Sequence, residues 1–198
     1  MRILNAKGFG AVLVVVWLLS SIQLVFAQAP HVIFAFCYIG ILIAGLGFLY
    51  ARPSLVYAYV SVALLAQIPF SIDLVRVYLG LEQFIGLVMY DPAYHTLAGR
   101  IVDLGVHLLV LPFVLVGMRS IEVPTYRSFV KWYLILFVAV IAVSVPLENN
   151  CVLIGCFEPL AYGDTIIGHL VYFSIVALIG PLVIARVAMK VHAWLRQR

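Results

Sequence analysis

Apolar residues dominate this chain in six long runs, separated by short polar or proline-containing breaks. The runs cover about residues 9–27, 31–50, 54–72, 97–118, 131–148 and 165–187. Each is close to the roughly 20 residues that an α-helix needs to cross a hydrocarbon core of about 30 Å. The pattern therefore predicts an all-α fold, a polytopic integral membrane bundle of six transmembrane helices, with residues 1–198 in a single transmembrane domain.

Charged residues are sorted between two alternating sets of breaks. Ten of the twelve basic residues fall at or near one set of boundaries between the runs, and seven of the eight acidic residues fall at or near the other set. The basic set is Arg2, Lys7, Arg52, Arg119, Arg127, Lys131, Arg186, Lys190, Arg196 and Arg198. The acidic set is Asp73, Glu82, Asp91, Asp103, Glu148, Glu158 and Asp164. Because Lys and Arg concentrate in cytoplasmic loops, the sorting predicts that both termini are cytoplasmic.

The stretch 72–90 is also apolar, but it carries Asp73, Arg76 and Glu82. A seventh crossing here would put a basic cluster on the same side as the acidic loops. The sequence therefore predicts a short exoplasmic interfacial or re-entrant helix between spans three and four. A re-entrant backbone is tolerated only where protein buries it or water lines it.

The first apolar run follows Arg2 and Lys7 and ends in small residues, as a secretory signal does. The run 9–27 is longer than the usual signal core of about 7–15 residues. We therefore expect it to be retained as the first span.

Composition agrees with a membrane protein. The chain is 66% hydrophobic and 10% charged, with a mean hydropathy of +1.18, whereas soluble domains carry about 25% charged residues. In a soluble protein the net charge of +4 would indicate a nucleic-acid partner. Here the basic residues are placed where an anionic cytoplasmic leaflet attracts them, so we expect the lipid bilayer as partner and no nucleic acid.

The fourth run contains three ionisable residues at helical spacing, Arg100, Asp103 and His107. A charged side chain at the centre of a membrane helix costs about 2.5–3.5 kcal/mol on insertion scales, so such residues face the bundle interior and pair. We expect Arg100 to pair with Asp103, and Asp103 with an N–H group of His107.

Other ionisable residues are predicted to lie at the same level. Asp73 and Arg76 end the third run, and His169 begins the sixth. The sequence thus predicts a charged pocket, open to the exoplasmic side and walled by spans three, four and six. Its members are Asp73, Arg76, Arg100, Asp103, His107 and His169. Two interpretations stay open, a ligand site and a salt-bridge network that locks spans three and four together.

Mixed charges in an apolar bundle favour binding or translocation of a small polar or amphiphilic ligand. An alternative is an intramembrane enzyme acting on a lipid-borne group, with His107 as general base oriented by Asp103. Arg100 or Arg76 would then stabilise anionic charge.

A third hypothesis is an accessory subunit of a larger membrane complex. Gly40, Ala44 and Gly47 form a stripe of small residues that lets membrane helices pack closely, either within the chain or against a partner subunit. A stripe facing lipid would favour the partner.

No metal site is predicted, and the sequence indicates no particular cofactor. A haem held by His107 and His169 is disfavoured, since the two differ in predicted depth by about 8 Å. Cys151 and Cys156 are predicted to form a stabilising disulfide in an exoplasmic loop if that side is oxidising. Their spacing is not that of a C-x-x-C redox pair.

Overall fold

The computed structural model describes residues 5–26, 36–82, 97–144 and 178–196. All regular structure in these ranges is helical, as predicted. The helices are α1 Ala6–Phe26, α2 Phe36–Leu49, α3 Pro53–Tyr78, α4 Leu97–Leu104, α5 Val110–Gly117, α6 Tyr126–Ser144 and α7 Gly180–Arg196. A π-helical turn, Gly105–Leu109, joins α4 to α5, and a 3₁₀ turn, Met118–Ser120, follows α5.

Two helices among the described residues are long and apolar enough to cross a membrane, Ala6–Phe26 and Gly99–Ser120. The second combines α4, the π-helical turn, α5 and the 3₁₀ turn. Helix α3 adds a third if its halves, Pro53–Leu65 and Gln67–Tyr78, form one bent span. These helices indicate a membrane protein, but six spans are not confirmed. The predicted runs 31–50, 131–148 and 165–187 lie partly outside the described residues.

Helix starts are set by capping groups that the apolar runs did not reveal. Helix α1 begins at Ala6, before the apolar run, because Oδ1 of Asn5 accepts a hydrogen bond from the N–H of Gly8 at 2.9 Å. Helix α6 begins at Tyr126 rather than at residue 131. Oγ1 of Thr125 lies 3.3 Å from the N–H of Ser128, the position that an N-terminal cap occupies.

The stretch 72–90 was predicted to form a helix separate from span three. Its first residues, up to Tyr78, belong to α3 instead. Helix α3 continues beyond residue 72 and ends at Tyr78. It ends because Gly80 adopts a left-handed conformation, with φ of 72°, and the N–H of Leu81 bonds to the carbonyl of Arg76 at 2.8 Å. Residues 83–90 lie outside the described residues.

Two prolines coincide with irregularities in the spans. Helix α3 bends by 47° between Leu65 and Gln67, just before Pro69, whose ring clashes with the carbonyl four residues earlier. Pro112 lies in α5, directly after the π-helical turn. It has no N–H group to offer the preceding turn, which is a known cause of local change in helical hydrogen bonding.

Glycines allow α2 to pack tightly against both of its neighbours. A Cβ atom on Gly10 of α1 would lie 2.7 Å from the carbonyl oxygen of Gly45. A Cβ atom on Gly47 would lie 2.8 Å from Cγ2 of Val56 in α3. Ala44, between them, is fully buried. The small-residue stripe of α2 therefore packs inside the chain.

Helix ends that carry basic residues meet at one end of the bundle, which we call the basic end. The Phe9 and Phe48 rings lie 5.9 Å apart between the start of α1 and the end of α2. The hydroxyls of Ser54 and Ser128 lie 2.8 Å apart between the starts of α3 and α6. The basic residues next to these contacts include Lys7, Arg52, Arg119, Arg127 and Arg196. The opposite end, where α3 ends and α4 begins, carries Asp73, Arg76 and Arg100.

Candidate functional site

The π-helical turn Gly105–Leu109 interrupts the helical geometry of one described span, and a side chain of α3 binds it. Nε2 of Gln67 donates hydrogen bonds to the carbonyls of Val106 at 2.8 Å and of His107 at 3.1 Å. A backbone carbonyl left without a partner in a membrane interior costs several kcal/mol. Gln67 therefore stabilises an irregular turn that the apolar environment would otherwise disfavour.

Two further α3 side chains, Tyr59 and Ser71, complete this contact. We call the set of Gln67, Tyr59, Ser71 and the two carbonyls the glutamine clamp. The Tyr59 hydroxyl donates to Oε1 of Gln67 at 2.9 Å, which fixes the orientation of the amide. The Ser71 hydroxyl lies 2.9 Å from the carbonyl of His107 and 2.6 Å from that of Gln67. Gln67 and Tyr59 are buried. The clamp is thus a polar network that holds α3 against the π-helical turn inside the bundle.

The clamp positions the imidazole of His107 between two aromatic rings. His107 is only 4% exposed. Its ring centroid lies 4.4 Å from that of Phe70 on α3, and 6.2 Å from that of Tyr38 on α2, in an edge-on arrangement. The wall contributed by α2 was not predicted. π-helical turns occur frequently at functional sites, so the location of a buried histidine within one marks it as a candidate.

Asp73 is fully buried, with no exposed surface. It lies on α3 one turn beyond Phe70, towards the end that carries Arg76. Burying a carboxyl group in an apolar bundle is costly unless other groups bind it. Interior ionisable residues in membrane proteins are by default functional or paired.

The two arginines lie at the α3–α4 end. Nε of Arg76 donates to the carbonyl of Glu82 at 2.7 Å, so this side chain caps the end of α3. The guanidinium carbon of Arg100 lies 5.9 Å from the centre of the Tyr78 ring, within the range of a cation–π interaction. Arg100 is exposed, and its contact with Tyr78 brings α4 beside the last turn of α3.

These contacts give the relative level of residues on the two helices. Ser71 lies opposite His107 and Tyr78 lies opposite Arg100, so α3 and α4 run antiparallel. Asp73 therefore lies at the level of the α4 residues between Arg100 and His107, and Asp103 is one of them. The structure brings five of the six predicted positions to one helix pair: Asp73, Arg76, Arg100, Asp103 and His107.

Some predictions cannot be compared with the structure. The side chain of Asp103 is not described, so its predicted pairs with Arg100 and His107 stay predictions. His169, Cys151 and Cys156 lie outside the described residues, as does most of the sixth run. Within the described ranges, no three His, Cys, Asp or Glu side chains converge as a metal would require.

Gln67, Ser71 and Tyr59 were missed by the sequence analysis, which followed charges and histidines. The sequence nevertheless contains a signal for two of these residues. Gln67 is a lone amide in the third apolar run, and Ser71 follows it at i+4 on the same helical face. Polar uncharged side chains in membrane helices commonly bond across to a neighbouring helix. Which backbone groups they reach depends on the π-helical turn, which no spacing in the sequence predicts.

A second buried polar contact joins α3 to α7 near the basic end. The Tyr57 hydroxyl and Nδ1 of His192 lie 2.6 Å apart, and their rings are stacked with centroids 6.2 Å apart. Nε2 of His192 is buried and has no hydrogen-bond partner among the described residues. His192 lies beyond the predicted end of the sixth span, and burial together with the nearby Arg196 guanidinium lowers its pKa below the usual 6.5.

Comparison with protein families, curated proteins and solved structures yields no match for this chain.

Proposed function

We propose that this protein binds or translocates a small polar or amphiphilic ligand at the α3–α4 end of the bundle. The observation that supports this best is the placement of two buried ionisable residues, Asp73 and His107, on facing helices. They lie beside a π-helical turn that the glutamine clamp maintains. Membrane proteins retain such costly groups where they contact substrates, ions or protons.

The charges at this site suit a ligand with both donor and acceptor groups. Asp73 offers a carboxylate, and Arg76 and Arg100 offer guanidinium groups that bind carboxylate or phosphate in a fixed geometry. The sequence prediction adds Asp103 on α4 to this set. Opposite charges at one level favour a zwitterionic or polar headgroup over a simple ion.

The rival hypotheses have less support. In the small-residue stripe of α2, Gly47 packs against α3 and Ala44 is fully buried, so the accessory-subunit hypothesis has less support from this stripe. An enzyme needs a general base within hydrogen-bond reach of the group that it deprotonates. The aromatic rings of Phe70 and Tyr38 flank His107 on two sides, which favours positioning over proton transfer to a large substrate.

The proposal includes a topology. Six spans with cytoplasmic termini put the basic end in the cytoplasm and the α3–α4 end on the exoplasmic side. The ligand then enters from outside. A Cys151–Cys156 disulfide on that side is part of the proposal and has a stabilising role.

A stability screen tests the proposed function. The purified protein is heated with inorganic phosphate, glycine, succinate, choline, glycerol 3-phosphate or lysophosphatidylcholine. A ligand that binds only the folded state raises the melting temperature. We expect at least one of these probes to stabilise the wild type by several degrees, and to have little effect on Asp73→Asn.

Glu82→Gln is the matched control. It removes the same charge at the same end of the bundle, but from an exposed residue that follows α3. This variant should keep the response to the probe. If no probe stabilises the wild type, or if Asp73→Asn responds as well as the wild type, the proposal is wrong.

A further inference from the structure

Helices α6 and α7 present a strongly cationic surface at the basic end. Arg127 and Lys131 of α6 and Arg186 and Lys190 of α7 are exposed, and the sequences of both helices lack aspartate and glutamate. Glu122, in the segment before α6, is exposed and contributes one opposing charge. Because charges of one sign repel each other, this surface favours an anionic partner.

One residue joins the two helices and fixes the position of Arg186. The Tyr126 hydroxyl, at the start of α6, donates to the carbonyl of Leu182 at 3.4 Å. The guanidinium carbon of Arg186 lies 5.6 Å from the centre of the Tyr126 ring, within the range of a cation–π interaction. The ring therefore orders the Arg186 side chain, which reduces the entropy lost when an anion binds.

Lys190 lies one helical turn after Arg186 on the same exposed face of α7. The two positions are separated by about 6 Å along the helix axis, at about 1.5 Å per residue. Two long side chains at this spacing can converge on one phosphate group, whose oxygens accept hydrogen bonds from guanidinium and ammonium groups. The pair is therefore suited to a phosphate.

The residues before and after this pair match the layers of a membrane surface. Val183 and Ile179 lie about one and two turns before Arg186 on the same face, and both are exposed. Trp194 lies one turn beyond Lys190 and is exposed as well, and tryptophan concentrates where a membrane meets water. Along this face, apolar residues are thus followed by cations and then by an interfacial anchor.

We propose that this face of α7 binds an anionic phospholipid, with the phosphate between Arg186 and Lys190 and an acyl chain along Val183 and Ile179. The occupant is a lipid rather than a soluble phosphate because exposed apolar residues continue directly from the cationic pair. A choline headgroup would add a positive charge beside the pair, so a net anionic lipid fits better. The site lies at the opposite end of the bundle from the α3–α4 end and does not rest on the proposed function.

Native mass spectrometry in detergent tests this proposal. Detergent removes the surface potential of an anionic leaflet, so binding reports a site rather than general attraction to a charged membrane. The purified protein is titrated with phosphatidylglycerol or phosphatidylcholine that carry the same acyl chains. We expect phosphatidylglycerol to bind about tenfold more tightly than phosphatidylcholine. Equal affinity for the two lipids would overturn the proposal.

A pair of double variants locates the site. Arg186→Gln/Lys190→Gln should lower the affinity for phosphatidylglycerol about tenfold and leave that for phosphatidylcholine unchanged. The control, Arg127→Gln/Lys131→Gln, removes the same charge at the same helical spacing from α6 and should leave phosphatidylglycerol binding nearly unchanged. Equal losses in the two double variants would indicate unspecific attraction and also contradict the proposal.

Two further measurements identify the occupant and guard against misfolding. Excess glycerol 3-phosphate should not displace phosphatidylglycerol, because it has no acyl chain to contact Val183. Complete displacement would indicate a soluble phosphate instead of a lipid. If the α7 double variant does not fold, a phosphatidylglycerol with a diazirine in its acyl chain decides in the wild type. Its adducts should map to residues 179–187, and adducts spread evenly over the exposed helices would overturn the site.

Discussion

Gln67 is the residue on which the π-helical turn most depends. In a Gln67→Leu variant, the carbonyl of Val106 and the hydroxyl of Tyr59 lose their partners, while Ser71 still reaches the carbonyl of His107. Each buried group left without a partner costs about 1–3 kcal/mol. We expect the free energy of unfolding to fall by about 2 kcal/mol or more, measured as a lower melting temperature in detergent.

Ser61→Ala is a suitable comparison for that experiment. Ser61 is buried on the same helix, but its hydroxyl bonds to the carbonyl of Ala58 within that helix. Its removal leaves no group on a neighbouring helix unsatisfied, so its effect should be well below that of Gln67→Leu. Similar losses in both variants would show that the clamp has no special role.

Ala51 carries backbone strain that a substitution can relieve. Its φ of 50° is left-handed, and the N–H of Arg52 bonds to the carbonyl of Gly47 at 2.7 Å, as in a helix C-terminal motif that favours glycine. An alanine in this conformation costs about 1 kcal/mol. Ala51→Gly should therefore raise the melting temperature.

A glycine elsewhere should have the opposite effect. Ala11→Gly, at an exposed position within α1, should lower stability by about 1 kcal/mol through helix propensity. If Ala51→Gly lowers the melting temperature as Ala11→Gly does, the left-handed turn before α3 is not strained.

At the scale of elements, helix α7 is attached to α3 by a contact that depends on pH. In the attached state, burial and Arg196 lower the pKa of His192. Detached α7 would thus bind a proton at a higher pH than attached α7. The stabilisation by this contact is complete above about pH 6.5 and decreases as the pH falls below that value.

Of the charged residues near this contact, Arg196 lowers the pKa of His192. The other charged residues on α7 and on the adjoining parts of the chain include Arg52, Asp73, Arg76, Arg119, Glu122, Arg127, Lys131, Arg186 and Lys190. The protection of α7 against hydrogen exchange, corrected for the intrinsic exchange rate at each pH, should fall between pH 7.5 and pH 5.5 in the wild type, and fall less in His192→Gln. Equal pH dependence in both proteins would contradict a role for His192. Tyr57→Phe should weaken attachment at both pH values, since it removes the hydrogen bond.

The elements show where sequence reasoning succeeds and where it does not. The apolar run at 97–118 predicts the combined α4–α5 segment closely, because its length and polarity are set by the membrane. The start of α6 at Tyr126 depends on one cap, Thr125, and the end of α3 at Tyr78 depends on the left-handed Gly80. Hydropathy does not detect such single-residue signals. The π-helical turn depends on Gln67 from another helix, so local sequence cannot reveal it.

At the scale of the whole molecule, the described basic residues lie near one end, as the charge sorting predicts. Contacts such as that of Arg196 with the carbonyl of Ile121, at 3.4 Å, join the chain's basic segments at the basic end. The contact of Arg100 with Tyr78 joins the start of α4 to the end of α3, and Asp73 of the acidic set lies at this α3–α4 end. The level of Asp73 relative to His107 was predictable only roughly, because the 47° bend of α3 changes the depth of its last turns.

The six-span topology predicts which end faces outwards. In a cysteine-free background, Cys placed at Arg198 should react with a membrane-impermeant maleimide only after the cells are opened, and Cys placed at Glu82 should react in intact cells. Since positive residues are retained inside, the basic end is expected to be protected. External labelling at residue 198 would overturn the topology, and with it the outward-facing site.

We propose that Asp103 of α4 and His107 of the π-helical turn bind ligand rather than only hold helices together. The double variant Asp103→Leu/His107→Leu removes both polar side chains at once, and well-packed apolar replacements of buried ionic groups are often tolerated. The decisive measurement is a titration of this variant and the wild type with the stabilising probe, followed by melting temperature. We predict similar melting temperatures without the probe, and a rise with the probe in the wild type alone. An equal rise in the double variant would show that Asp103 and His107 are structural only.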